Sequence, residues 1–205
     1  MMNFRYGCFL SYAHGSQALM SQFNHDFAES LRAYLEPHFD DETELFVDTD
    51  QLRGGDDISR RIAHAQWNSA CMVLIYTHKY EKHLNTRREF AAMLEVERLR
   101  RQWGDIPCRL VLPVVLRCTP GLPLPPQVMQ AFYLDFSAYT LATGDLKSHP
   151  DYAPHIEALA NRIGWLAHVQ KKIVVPPEFD CNQFALPAVT PLWRDDVPDS
   201  HFPKI

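Results

Sequence analysis

Short apolar runs, most of them followed by a polar loop and a helix start, constrain this chain more than any other feature. The runs occupy residues 6–12 (YGCFLSY), 45–48, 71–76, 109–116 and 132–136. Each has the length of a buried strand and is bounded by turn-forming or polar residues. Amphipathic stretches alternate with them. Strands that alternate with helices predict a parallel, doubly wound α/β sheet with right-handed crossovers.

The first helix is predicted from its Ser16 cap onward. Leu19, Phe23, Phe27, Leu31 and Leu35 form an unbroken i, i+4 stripe, and Pro37 ends it. A second helix is expected from Ile58 to about Asn68, capped by Asp57, and a third from about Arg87 to Gln102. Pro113 inside the fourth run predicts an edge position or a bulge. A last helix opens at Asp151 and carries Ile156, Leu159, Ile163, Leu166 and Ala167 on one face. Residues 1–170 read as one domain. Residues 171–205 differ, because scattered prolines exclude a regular helix or central strand. Phe179, Phe184, Trp193 and Phe202 make that arm too aromatic for simple disorder. It is expected to pack on its own domain or on a neighbouring subunit.

Composition removes several function classes. At 205 residues the chain can bury a core without disulfides or metal. A net charge of -5 opposes a nucleic-acid footprint. Five cysteines without CxxC spacing suit a reducing, cytoplasmic setting, and Cys8 and Cys71 read as small buried hydrophobes. The ten histidines include no pair at metal-ligand spacing beside cysteines, so no metal is expected. The first residues lack the apolar core of a secretory signal, and no run approaches the length that spans a bilayer.

In an open parallel sheet, ligands bind outside the carboxyl ends of the strands. The loops after the second and third runs therefore open on one rim, where a nucleotide is the expected ligand. Glu89 stands there at the first turn of its predicted helix, and its spacing leaves two readings open. Thr86-Arg87-Arg88-Glu89 has the form of a capping box, in which the glutamate bonds back to the cap residue. Alternatively, the carboxylate faces the rim and does chemistry. Gly54-Gly55 lets backbone N–H groups approach a phosphate, although Asp56 and Asp57 oppose an anion. Arg53, with Arg87 and Arg88 behind it, is a better phosphate ligand, or else a solvated charge. Ser11, Tyr12 and His14 follow the first strand. Ser11 suits a ribose or phosphate and Tyr12 a stacked ring; satisfaction of either hydroxyl by backbone is the other reading. Tyr80 closes over the nucleotide or packs on the surface. Asp48 caps the loop after the second strand. His78 and His83 are expected to face solvent, and Trp67 to lie in the core or an interface.

Three segments carry a family resemblance: FLSY (9–12), LFVDTDQLRGG (45–55) and Tyr80 with Arg88-Glu89-Phe90. They resemble the TIR (Toll/interleukin-1 receptor) domain, and LPVVL with PLPPQVMQAFYLDF resembles its fourth and fifth strands. The resemblance spans roughly residues 6–170. Ala13-His14 stands where a basic residue is frequent, and Asn85-Thr86 where Trp-Cys is frequent. The resemblance implies a flavodoxin-like, five-stranded parallel sheet. It also implies cleavage of NAD at the nicotinamide–ribose bond, with NAD as substrate rather than cofactor and Glu89 as the catalytic residue. Ser11, Tyr12, His14, Asp48, Arg53, Tyr80 and Arg88 become candidate NAD-binding residues. Stand-alone bacterial TIR proteins of Thoeris-like antiphage systems make a cyclic or conjugated ADP-ribose signal that activates an effector. This chain is similar to them, so a homo-oligomer and a downstream effector are the implied partners. TIR adaptors that only self-associate supply the alternative. A receiver-type phosphoacceptor is set aside because the first strand ends in Ser11-Tyr12.

Overall fold

The computed structural model describes residues 2–14, 18–39, 44–47, 58–117, 123–131, 133–139, 146–181, 184–188, 190 and 193. Strands β1 (Tyr6–Tyr12), β2 (Glu44–Val47), β3 (Ser69–Tyr76), β4 (Val111–Val115) and β5 (Leu134–Asp135) form one sheet. Its order is β2-β1-β3-β4-β5, and every pairing is parallel. This is the flavodoxin-like doubly wound topology. All eight residues of β3 are buried, as a central strand covered on both faces requires.

The helices are α1 (Ala18–Leu35), α2 (Ile58–Trp67), α3 (His78–Lys82), α4 (Leu84–Trp103), α5 (Pro126–Met129) and α6 (Tyr152–Gln170). α1 packs against α6, and α2 against α4. The stripe on α1 is buried at Phe23, Phe27, Leu31 and Leu35, but Leu19 is exposed in the first turn. The predicted face of α6 is buried throughout.

Two element boundaries and one strand position need correction. β3 begins two residues earlier than its apolar run, because Ser69 is buried and its hydroxyl bonds the Ala65 carbonyl at the end of α2. Pro113 does not lie on an outer strand, since β4 stands between β3 and β5. It is tolerated because β5 pairs only with Val114 and Val115, so the missing N–H interrupts no pairing on that side. The third helix is longer than predicted. It starts at Leu84, and α3 precedes it.

One buried cation joins the layers at the opposite end of the sheet from the strand C-termini. Arg100 on α4 is fully buried and donates to the carbonyls of Trp67 and Ser69 and to Gln170 Oε1 (2.9 Å for the last two). Its guanidinium lies 5.0 Å from the Phe4 ring and 5.5 Å from the Trp67 ring. Burial pushes its pKa down to about 9, which leaves it charged at neutral pH. One side chain thus fastens α4 to α2, β3 and α6. Arg100→Ala strips several buried acceptors of their donor and should cost at least about 3 kcal/mol in urea denaturation. A loss below about 1 kcal/mol, the scale of a single surface contact, would show that the ties are redundant.

Candidate active site

In a sheet of order 2-1-3-4-5 the crevice for a ligand opens between the carboxyl ends of β1 and β3, where the strand order reverses. Ser11 stands there, opposite Leu74 in the register, with its side chain buried. Its hydroxyl donates to Glu89 Oε2 at 2.6 Å. The Tyr80 hydroxyl lies 2.7 Å from the same Ser11 oxygen. Because the single Ser11 hydrogen is committed to the carboxylate, Tyr80 is the donor in that second bond. A chain of two hydroxyls therefore runs Tyr80→Ser11→Glu89.

Local sequence explains how three distant residues meet. His78–Lys82 forms a short helix directly after β3, which turns Tyr80 inward until it is fully buried. The chain re-enters a helix at Leu84, with His83 at the cap position. Thr86 is therefore inside the helix, where its hydroxyl lies 2.6 Å from the Tyr80 carbonyl and 3.0 Å from that of His83. Of the two readings left open for Glu89, the capping box at Thr86–Glu89 does not form. Its cap residue is already helical, and Glu89 falls in the second turn rather than the first. The side chain is free of that capping duty and reaches β1 instead. Gln66 on α2 holds the Glu89 carbonyl through Nε2 at 2.9 Å. Glu89 itself is only 4% exposed.

The remaining candidates divide. Tyr12 is half-buried at the end of β1, its ring 5.1 Å from that of exposed His14. Arg88 faces the C-terminal arm, and its Nε donates to the Pro187 carbonyl at 2.8 Å. Asp48 and Arg53 lie outside the described residues, as do Ser16, Gly54, Gly55, Asp56 and Asp57. Tyr80 does not pack on the surface, because it is wholly buried against Ser11. His78 differs from its solvent-facing expectation. It is half-buried, and its Nδ1 lies 3.2 Å from the carboxylate of Glu81, which also accepts from Tyr76. Trp67 is in the core. Cys8 and Cys71 are buried as small hydrophobes, and burial pushes both thiols well above their ordinary range.

Sequence reasoning missed Gln66, although a glutamine on the apolar face with Ile62 and Ala65 was a visible signal. It also missed Phe90 and Trp193, which have no polar signature. Among the described residues, no group of three metal-ligating side chains converges, and no helix is long and apolar enough to cross a membrane. A separate cleft of about 270 Å³, lined by Arg5, Arg60, Arg61 and His64 among others, includes none of Ser11, Tyr80 or Glu89.

The family model described as TIR domain matches residues 8–146. The chain belongs to the TIR domain family. No curated protein matches it. The TIR match contains Ser11, Tyr80 and Glu89, whereas α6 and the arm lie beyond it. At the family level a TIR domain fits either NAD cleavage or an adaptor role.

Burial first, and then the Glu89 charge, raise the Tyr80 phenol well above its ordinary value. Tyr139 is raised to about 12, again by burial first. Both phenols therefore remain protonated through neutral pH. A proton held more tightly in the native chain stabilises it below the unfolded-state value of about 10, and the contribution is lost as pH rises toward the native value. Spectrophotometric titration should show Tyr80 and Tyr139 among the tyrosines that resist ionisation until alkaline unfolding. Tyr80→Phe should remove one of them. One fewer phenol ionising in the ordinary range in Tyr80→Phe than in wild type would mean that Tyr80 is open to water.

Proposed function

We propose that this TIR protein cleaves NAD at the nicotinamide–ribose bond and forms an ADP-ribose-derived signal, cyclic or conjugated. The single observation that carries the reading is the buried Glu89 carboxylate, gathered with Ser11 and Tyr80 at the strand-order switch. The chemistry asks for little more. As the bond from ribose C1′ to the pyridinium nitrogen breaks, its electron pair stays on the ring and neutralises it. Nicotinamide leaves without a general acid. Positive charge develops on the ribose, and a carboxylate in a water-poor site stabilises such an oxocarbenium-like state. Water as the attacking group gives ADP-ribose and releases a proton; a hydroxyl or ring nitrogen of the nucleotide gives a cyclic product.

In this reading Glu89 stabilises the developing charge and bonds a ribose hydroxyl. Ser11 and Tyr80 orient the carboxylate. Tyr12 and His14 at the end of β1 line the route to it, with Asp48, Arg53 and Arg88 as further candidates for the nucleotide. The resemblance to stand-alone bacterial signal synthases extends the proposal to antiphage defence in the cytoplasm, through a homo-oligomer and an effector that reads the nucleotide.

Purified protein incubated with NAD, alone and with lysate from phage-infected cells, tests the proposal by mass spectrometry of the nucleotides. Glu89→Gln keeps the shape of the side chain and should lower NAD consumption by at least about 10²-fold, the loss typical of one preorganised electrostatic group. Its melting temperature should not fall, because a neutral amide costs less to bury than a carboxylate. Normal turnover by Glu89→Gln would remove Glu89 from the mechanism. No NAD loss by wild-type protein under either condition would favour the self-associating adaptor.

A further inference from the structure

We propose that Trp193, carried by the C-terminal arm, is a positioning residue that acts through Tyr80 on Glu89. The inference rests on the NAD-cleaving reading for its catalytic consequence, and on geometry alone for its structural one.

The two neighbours of Glu89 in the chain are both held by the arm. Arg88 donates to the Pro187 carbonyl at 2.8 Å. Phe90 meets the Trp193 ring at 4.5 Å between centroids with an interplanar angle of 62°. The same indole lies 5.5 Å from the Tyr80 ring. Trp193 is only 8% exposed, although it belongs to a proline-rich segment outside the family match. Upstream, the arm is anchored on the α2–α4 layer. Phe179 stacks on Trp67 at 4.6 Å and meets Trp103 edge-on at 4.9 Å, and Phe184 lies 5.8 Å from Trp67.

These contacts place the arm's last described aromatic directly behind the hydroxyl chain. The phenol of Tyr80 needs a fixed ring to aim its O–H at Ser11. On one side Thr86 holds both ends of the residue: its hydroxyl donates to the Tyr80 carbonyl, and its own carbonyl lies 3.3 Å from the Tyr80 phenol oxygen. Trp193 supplies another wall, with the edge-to-face and tilted geometries that aromatic pairs prefer. Removal of the indole opens a cavity beside Tyr80 and Phe90. The ring can then turn or admit water, and Ser11 loses the donor that fixes its own hydroxyl. Misplacement of a carboxylate by about 1 Å is enough to cost a large factor in rate. The arm therefore serves the site as part of its scaffold, from outside the segment that the family shares.

The test uses the full chain with Trp193→Ala, Trp193→Phe, Tyr80→Phe and the double variant Trp193→Ala/Tyr80→Phe, assayed below their melting temperatures. For NAD turnover, Trp193→Ala should lower kcat by about tenfold or more with KM changed by less than about twofold. Trp193→Phe should recover most of it. Adding Trp193→Ala to Tyr80→Phe should cost little further, since both act on one network. Full additivity, or a kcat within about twofold of wild type in Trp193→Ala, overturns the proposal. A second readout does not need activity. In protein labelled with fluorotyrosine, the Tyr80 resonance is identified by its absence in Tyr80→Phe. It should shift and broaden in Trp193→Ala and return in Trp193→Phe. An unchanged Tyr80 resonance overturns the proposal even in a chain that consumes no NAD, whereas absent turnover with a shifted resonance overturns only the enzymatic reading.

Discussion

A carboxylate that is 4% exposed must find hydrogen-bond donors inside the protein, and the site is organised around that requirement. Glu89 lies on α4, but the donor at its Oε2 is Ser11, from a strand 78 residues earlier. The two meet only because the strand order reverses between β1 and β3. β1 and β3 are adjacent and parallel, so Ser11 arrives at the same rim from which the α3–α4 connection departs. A one-residue slip in the register of β1 would have turned a different side chain toward α4.

The same helix is fastened at its other end by Arg100. Eleven residues separate Glu89 from Arg100, about 16 Å of helix and close to three full turns. Both side chains therefore project toward the sheet. One reaches the carboxyl ends of the strands and the other their amino ends, and α4 spans the sheet between them. Glu97, also buried on this helix, adds a tie to the start of β4 by accepting from the Leu110 N–H at 2.8 Å. Three polar side chains on one helix thus fix its axial position against the sheet. Apolar packing alone does so less sharply, because neighbouring turns of a helix present similar apolar surfaces. A carboxylate placed in this way needs little reorganisation when charge develops next to it.

Periodicity made the architecture legible before any coordinates. The stripe of α1 and the buried runs of β1 and β3 each specified an element, and their alternation specified a parallel sheet. The local pattern at 86–89 left two readings open because a capping box is a statement about where a helix begins. Nothing in four residues shows that an extra turn, His78–Lys82, has already redirected the chain and that the helix starts at Leu84. The tertiary contact of Thr86 with the Tyr80 carbonyl decided the boundary. Arg100 was illegible for a related reason. Its partners are mostly backbone carbonyls, which leave no trace in residue types, so nothing in the spacing singled it out. Trp193 was visible only as an aromatic in a proline-rich segment, and no spacing rule connects it to Tyr80 across 113 positions.

The closed arrangement around Glu89 also bears on how a nucleotide would enter. One carboxylate oxygen is already satisfied by a hydroxyl, and the incoming group in NAD cleavage would itself be a ribose hydroxyl. Replacing one hydroxyl donor by another exchanges equivalent hydrogen bonds, so the net cost is small compared with leaving the carboxylate unpaired. Ser11 displaced in this way still has Tyr80 as a neighbour, and the two hydroxyls can satisfy each other. A hydroxyl pair beside the carboxylate is thus suited to holding it and to giving way to another hydroxyl at small cost. An apolar residue at position 11 would leave Glu89 without that donor, and a cationic one would hold it too tightly to exchange.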